Sequence, residues 1–291
     1  MDGELLRWLY HRLLHDPTLS RTRDCTYCDG LILLIYFFGV IFNRSNAWAI
    51  QARHWPLAYR RLKFPSYSQF QKRLKRPETA RLIEQLDLEL RQRLPHSDLG
   101  FIDGKPLVVS GFSKDPDATL GHVPGGFARG YKVHLLVDSS GVIERFDVTG
   151  MADGEATVMR QMIGDHDLRG RLIRADANYD SNPLYRQAAD RGGRLIAPRR
   201  KPFRGLGHQP QHPDRLRAID ELERSPEDGR NHRRIRAQVE RRIGHLANLP
   251  AGLWGLPGFV RRLHRVRRWV AAKILLYHLH HVLQQHNLNA A

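Results

Sequence analysis

Three acids stand apart in an otherwise basic chain, and their type and spacing suit metal-assisted phosphate chemistry. Asp103 and Asp176 each follow a short apolar run, and Glu240 is the only acid in a long arginine-rich segment. Carboxylates that converge on two cations about 3.5 to 4 Å apart can activate an attacking oxygen and stabilise a leaving oxygen. In a protein that attracts polyanions, this pattern predicts a metal site that acts on nucleic-acid phosphates.

Each acid also has a structural explanation when it is taken alone. Asp103 could form a turn with Gly104, Asp176 could cap the following loop, and Glu240 could pair with Arg236 one helical turn earlier. Taken together, the three acids favour the metal-binding interpretation. Other acids of the region fall in evident loops or beside another charge, among them Asp115, Asp117, Asp153, Glu155, Asp165 and Asp167.

The charge of the chain indicates a polyanionic partner. Lys and Arg number 47 against 30 Asp and Glu, and the formal net charge is +17. Such a surface attracts nucleic acid or anionic lipid. The longest apolar run, Leu31–Phe42, has 12 residues, fewer than the roughly 20 that span a bilayer. We therefore expect a buried core helix there, no membrane, and a cytoplasmic protein associated with the nucleoid.

Two cysteines, Cys25 and Cys28, have the C-x-x-C spacing. A zinc site would need two more ligands, and His11 and His15 could supply them from successive helical turns. One such pair is a weak signal, so two reduced, partly buried thiols are the favoured interpretation.

Residues 1–97 form a region of predicted helices. Apolar residues recur at three- and four-residue intervals in Glu4–Leu14, Gly30–Phe42, Ala47–Gln51 and Thr79–Leu94. A further basic helix is expected to begin at Ser66 or Ser68 and to stop at Pro77. Its Lys72 and Arg73 could contact DNA, and phosphate contact is favoured over base recognition. Alternatively, the helix is a solvated cationic face.

Short strands and interleaved helices are predicted after residue 98. The strands are Phe101–Val109, Tyr131–Val137, Val142–Val148, Leu172–Ala175 and Arg194–Ala197, and the helices are Glu155–Ile163 and one that opens at Ser181–Pro183. This order indicates a mixed α/β layer. Residues 199–231 are a polar insertion with a short helix near Pro213–Arg224. Basic helices follow; the last is expected to begin near Pro257, and Glu240 should lie beside a buried stripe of its helix.

Four sequence blocks resemble successive blocks of DDE-superfamily insertion-sequence transposases. They are Asp103–Leu107, Gly130–His134, Ala175–Ser181 and Arg236–Arg242. The resemblance covers roughly Leu99–Lys273 and extends weakly into the N-terminal helices. It implies a ribonuclease-H-like catalytic domain at 98–291 after a helical region at 1–97 that would bind DNA, with N-terminal and C-terminal helices flanking the core.

The resemblance further implies that Asp103, Asp176 and Glu240 form a triad that binds two Mg²⁺ ions, with Mn²⁺ as a substitute. Such an enzyme cleaves DNA at the terminal inverted repeats of an element, joins the ends to target DNA, and works as a homodimer on DNA. His232 and Arg233 stand near the position where relatives often have tyrosine, and Ala247 and Asn248 lie where relatives often have lysine. Two alternatives are a non-catalytic DNA-binding protein and a stand-alone nuclease.

Several cations and aromatic residues are candidate DNA contacts. Lys132 and Arg236 could grip the phosphate at the site, although Lys132 could equally be a solvent-exposed charge. A larger set is expected to follow the DNA backbone: Arg241, Arg242, Arg261, Arg262, Arg265, Arg267 and Arg268. The glycine-rich segment 121–130 is predicted to be a flexible hairpin loop. Trp254 and Trp269 are expected to pack between helices instead of stacking on a base.

Overall fold

The computed structural model describes residues 2–16, 26–249 and 251–289, with side chains as far as residue 285. It divides into two compact units, which consist of Met1–Leu94, Leu246–Val260 and Arg268–Ala291, and of Pro95–His245 and Arg261–Arg267. The division places most of the C-terminal helix with the N-terminal helices. The sequence, by contrast, predicts a catalytic domain that covers all of 98–291.

The first unit is built from helices around one buried helix. Its helices are α1 (Asp2–Leu14), α2 (Asp29–Ile41), α3 (Asn46–Ala49), α4 (Tyr67–Leu74), α5 (Pro77–Gln92) and most of α10 (Leu263–Asn289). Every residue of α2 is buried, which confirms the expected core helix. No helix in the described part of the chain has the length and apolarity that a bilayer crossing needs.

Local capping explains where two of these helices begin. The Cys28 sulfur accepts a hydrogen bond from the Leu31 N–H and caps α2. Its predicted zinc-site partner, Cys25, lies outside the described residues. Ser66 caps α4 through a reciprocal capping box with Gln69, so the first of the two predicted caps is confirmed.

Arg73 of α4 has a structural role that its sequence context does not predict. Its side chain is buried, and its Nη2 lies 2.7 Å from Asp29 Oδ1 at the start of α2. A buried cation paired in this way is held inside the protein. The proposed DNA contact at Arg73 is therefore not supported by its position, whereas Lys72 beside it is exposed.

Lys273 of α10 is buried within the first unit. Its Nζ donates to the Val40 carbonyl and to Asn43 Oδ1, both at 2.8 Å. Burial lowers the pKa of Lys273 to about 7 from 10.5. The folded protein therefore releases this proton at a lower pH than the unfolded chain does.

We expect Lys273→Met to remove a pH-dependent part of the stability. In the wild type, the free energy of unfolding should rise between about pH 7 and pH 10.5, because the unfolded chain then binds the proton and the folded chain does not. The slope from one group is at most about 1.4 kcal/mol per pH unit. Denaturant unfolding at pH 7, 8.5 and 10 gives the free energy of unfolding of both proteins. The value for the variant minus that for the wild type should decrease as pH rises. A difference that does not change with pH would contradict this.

The second unit is organised around a six-stranded mixed sheet. Its strands are β1 (Leu99–Val108), β2 (Thr119–Val123), β3 (Gly126–Asp138), β4 (Ile143–Gly150), β5 (Leu172–Arg174) and β6 (Arg194–Ile196). β3 pairs antiparallel with β1, β2 and β4, while β1, β5 and β6 pair in parallel. The predicted strands and the mixed α/β class are confirmed, and the parallel part places the carboxyl end of β5 beside Phe101 of β1.

The glycine-rich segment forms a β-hairpin, so the predicted hairpin is confirmed, but most of its residues lie in paired strands instead of a flexible loop. Residues 119–123 and 126–130 pair in register around a tight turn at Pro124 and Gly125. Gly125 has a φ of +89°, which a residue without a Cβ adopts easily. The high glycine content concealed β2 from a reading based on strand propensity.

Helices on the parallel side of the sheet cover its core. They are α6 (Glu155–Met162), α7 (Asn182–Asp190) and α8 (Pro213–Glu223), close to the predicted positions. Ile102, Ile173 and Ile196 from the strands share one buried cluster with Met159 and Tyr185 from the helices. This apolar layer gives the strands that carry the acids a rigid support.

The C-terminal helices begin differently from the prediction. α9 spans Pro226–Asn248, and α10 begins at Leu263 instead of near Pro257. Arg262 has a φ of +74°, and the N–H groups of Arg262 and Leu263 donate to the carboxylates of Asp115 and Asp117. A residue in that conformation cannot continue a helix, so the helix starts after it.

The two tryptophans of this region differ. Trp269 is buried, which confirms its predicted packing role. Trp254 is 79% exposed, so its predicted packing role was wrong.

Candidate active site

The parallel pairing of β1 and β5 brings Asp103 and Asp176 close together. The two strands are paired up to Phe101 and Arg174. Asp103 lies two residues further along β1, and Asp176 lies two residues beyond Arg174, just after the end of β5. Neighbouring strands are about 4.8 Å apart, so two acids that are far apart in sequence become neighbours in space.

Local backbone contacts hold both carboxylates. Asp103 Oδ1 accepts from the Gly104 N–H at 2.9 Å. Asp176 caps the short 3₁₀ helix Ala177–Tyr179, and its Oδ1 accepts from the Asn178 N–H at 2.8 Å. The predicted capping role of Asp176 is present, and it leaves further oxygen lone pairs for a ligand.

The electrostatics show that these acids share one environment. Burial raises the pKa of Asp103 to about 6; Arg236 opposes the shift, and the negative charges of Asp176 and Glu155 add to it. Burial also raises the pKa of Asp176, and Glu155 adds to that shift. Carboxylates gathered in this way are destabilised by their own charge, and a cation between them would relieve that repulsion.

Glu155 is the acid of this environment that the sequence analysis missed. It is the first residue of α6, and its Oε1 accepts a 2.6 Å ion pair from Lys132 Nζ. A Cβ built on Gly104 would meet both side chains at 3.2 to 3.3 Å, so β1 passes close to the pair. Acids are common at the start of helices because they interact favourably with the helix dipole. The sequence position of Glu155 therefore did not indicate a functional role.

Lys132 and Arg236 both face the acids. Lys132 lies on β3, opposite Pro106 of β1, and its side chain is mostly buried; it is not the solvent-exposed charge of the alternative interpretation. Arg236 of α9 places Nη2 3.8 Å from Asp103 Oδ1. Two cations therefore stand within reach of any phosphate that enters the site.

Glu240 lies one turn beyond Arg236 on α9 and is exposed, although its neighbour Val239 is buried. Arg236 forms its ion pair with Asp103, so the alternative pairing of Glu240 with Arg236 is not seen. The structure thus brings Asp103, Asp176 and Arg236 together, and it places Glu240 on the adjacent turn at the solvent boundary.

His232 anchors α9 beside the second acid. Its Nε2 lies 3.1 Å from the carbonyl of Ala175, the residue before Asp176, and its Nδ1 lies 3.0 Å from Arg174 Nη1. Burial lowers the pKa of His232 to about 4, so the ring is neutral. Nε2–H then donates to the carbonyl while Nδ1 accepts from the arginine. The departure from tyrosine noted in the sequence thus contributes a helix anchor.

A different group of side chains has compact metal-ligand spacing. Among the described residues, His96, Asp138 and Glu144 place ligand atoms within 4.8 Å of one another. Asp138 accepts from the N–H groups of Val142 and Ser97, and Glu144 pairs with Arg171 at 2.6 Å. These contacts explain the group as a network at the start of β1, away from Asp103.

An open cleft of about 1120 Å³ adjoins the acids. Its polar wall includes Lys132, Glu155 and Arg200, and its apolar wall includes Leu120 and Phe127 of the hairpin. Cations beside apolar and aromatic side chains are the kind of lining found in grooves that bind single nucleic-acid strands.

The remaining predicted DNA contacts are on the surface of their own units. Lys72, Arg241, Arg262 and Arg265 are exposed, and Arg242 is partly buried and donates to the Ser139 carbonyl at 3.3 Å.

We expect Arg241→Gln to lower the slope of log K against log salt for DNA binding by about one, because one fewer counterion is released. Arg169→Gln is the matched control, since Asp167 already pairs with Arg169; equal slopes for both variants would exclude Arg241 as a contact.

Comparison with known proteins decides the family. The family model described as the transposase DDE domain matches residues 95–279, which is more than half of the chain. This chain belongs to the transposase DDE domain family. It is therefore a DNA transposase, and the family resemblance inferred from the sequence blocks is confirmed. No observation favours the two alternatives, a non-catalytic DNA-binding protein and a stand-alone nuclease.

The fold of this transposase is similar to that of a chain in a solved structure. The chain is similar to a chain in the cryo-EM structure of the piggyBac transposase synaptic complex with hairpin DNA, with a TM-score of 0.51 and 12% sequence identity. The match covers 99% of this chain and 73% of that one. Comparison with curated protein sequences gave no significant match.

Proposed function

We propose that this transposase cuts DNA at the ends of a mobile element and joins those ends to target DNA at a metal-dependent site formed by Asp103, Asp176 and Glu240. The observation that carries the proposal is the approach of Asp103 in β1 and Asp176 just after β5, which follows from the parallel pairing of these strands and is reflected in the effect of the Asp176 charge on Asp103. Glu240 is the third acid because its helix contributes Arg236 to the same site.

The residues present fit a divalent cation. Asp103 and Asp176 are hard oxygen donors in partly buried positions, and burial raises the pKa of both. Mg²⁺ prefers such ligands and commonly binds through one or two carboxylates together with phosphate oxygens. We propose Mg²⁺, two ions per site, with Mn²⁺ as a substitute. When bound, the ions would activate the attacking oxygen and stabilise the leaving oxygen.

The cations of the chain would position the phosphate. Lys132 and Arg236 stand beside the acids, where charge on a phosphoryl group develops during the reaction. Glu155 would keep Lys132 oriented through their 2.6 Å contact. The exposed Arg241, Arg262, Arg265 and Lys72 would bind the flanking DNA backbone, which comprises the terminal inverted repeats and the target.

The proposal extends to the assembly and its location. We expect a homodimer on DNA, because two element ends must be joined in one reaction. The substrate places the enzyme on the nucleoid in the cytoplasm.

A strand-transfer assay tests the function. The purified chain is incubated with DNA that carries the element ends and with a target plasmid, in Mg²⁺, Mn²⁺ or EDTA. We expect cleaved and joined products with either metal and none with EDTA. Turnover in EDTA would contradict the metal site, and cleavage without joining would favour a nuclease.

A further inference from the structure

Tyr179 is a buried tyrosine whose hydroxyl forms no hydrogen bond within the described part of the chain. Its relative exposure is 0%, and its ring lies in the apolar cluster with Ile102 and Ala175. Buried polar atoms are nearly always paired, because leaving one unpaired costs its full desolvation. A phenylalanine would fill the same space without that cost, so the hydroxyl calls for a reason.

The position of Tyr179 supplies one. It ends the 3₁₀ helix that Asp176 caps, and its N–H donates to the Asp176 carbonyl at 3.1 Å. Burial, and the negative charges of Glu155, Asp103 and Asp176, raise the pKa of Tyr179 well above its ordinary value. A phenol hydroxyl without a partner at this position is available to donate a hydrogen bond to a further oxygen.

Tyr185 shows what a purely structural tyrosine looks like in the same core. It is also fully buried, but its hydroxyl donates to the Ala197 carbonyl and accepts from the Ala197 N–H, both at 3.1 Å. The two tyrosines share type, burial and cluster. They differ in that, among the described residues, only the Tyr185 hydroxyl has a hydrogen-bond partner.

We propose that Tyr179 is a further active-site residue, whose hydroxyl donates a hydrogen bond to a ligand oxygen held between Asp103 and Asp176. The inference rests on the proposed function of that site. The acceptor is an oxygen that is anionic or polarised by a metal, and two groups supply one: a metal-bound water and a phosphate oxygen of DNA.

Tyr179→Phe tests the proposal, with Tyr185→Phe as the matched control. Tyr179→Phe should melt at the wild-type temperature or higher in EDTA, because no hydrogen bond of the folded protein is lost. Its kcat for cleavage should fall about 10- to 100-fold, as expected for the loss of a hydrogen bond to a charged group. Tyr185→Phe should melt at a lower temperature and keep its kcat below its own melting range.

Measurements with Mn²⁺ alone identify the acceptor. If the acceptor is a metal-bound water, Tyr179→Phe should reduce the rise in melting temperature that Mn²⁺ produces without DNA. If it is a phosphate oxygen, that rise should be unchanged and only kcat should fall. A variant with wild-type kcat and a wild-type response to Mn²⁺ would overturn the proposal, as would a loss of stability in EDTA equal to that of Tyr185→Phe.

The two proposals fail separately. A wild type without metal-dependent products, or an Asp103→Asn variant with full activity, removes the proposed function itself. A metal-dependent wild type, an inactive Asp103→Asn and a fully active Tyr179→Phe remove the role of Tyr179 alone.

Discussion

Asp103→Asn should reduce cleavage and strand transfer together by about 10³-fold or more, with DNA binding retained. The amide has the size of the carboxylate but no charge, so it cannot hold a divalent cation as strongly. Both products should fall because the same acid serves both steps. Product formation on labelled element ends, alongside a gel-shift titration, measures the two properties.

Folding provides the control for this variant. Burial raises the pKa of Asp103 from 3.8 to about 6, so its ionised form destabilises the folded protein at pH 7 and the protonated form removes that cost as pH falls. In EDTA at pH 7, Asp103→Asn should therefore melt no lower than the wild type. Asp167→Asn, at an exposed acid paired with Arg169, should keep full activity. An active Asp103→Asn would exclude the site.

Glu240→Gln should also reduce the formation of both products, by about 10²- to 10³-fold. Glu240 is exposed, so the substitution should leave stability unchanged, and a loss of activity would report chemistry instead of folding. Cleavage and joining assays, with melting temperature and DNA affinity measured in parallel, check this result.

Glu155→Gln decides between the two candidates for the third acid. It breaks the ion pair with Lys132, and we expect a moderate fall in kcat, about tenfold, through a less well oriented lysine. If Glu155→Gln were inactive and Glu240→Gln turned over normally, Glu155 would be the third acid and the assignment of Glu240 would be wrong.

Much of the architecture was predictable from local sequence. The apolar run of α2, the cap at Ser66 and the strand that contains Asp103 each have signals within a few residues, and each is confirmed. β2 was missed because its glycines hide a strand whose stability comes from pairing with β3. The start of α10 was misplaced because carboxylates of Asp115 and Asp117, far away in sequence, cap it.

The sequence by itself determined the class of chemistry, since isolated acids in a chain of net charge +17 and their order along it depend only on residue type and spacing. Tertiary structure alone decided which charges share a site. It joined Glu155 to Asp103 and Asp176, turned Arg73 towards Asp29, and left the Tyr179 hydroxyl without a partner among the residues that the structure describes. The physical reason is that burial and the approach of distant strands set the electrostatic environment of a side chain, and neither is encoded in its immediate neighbours.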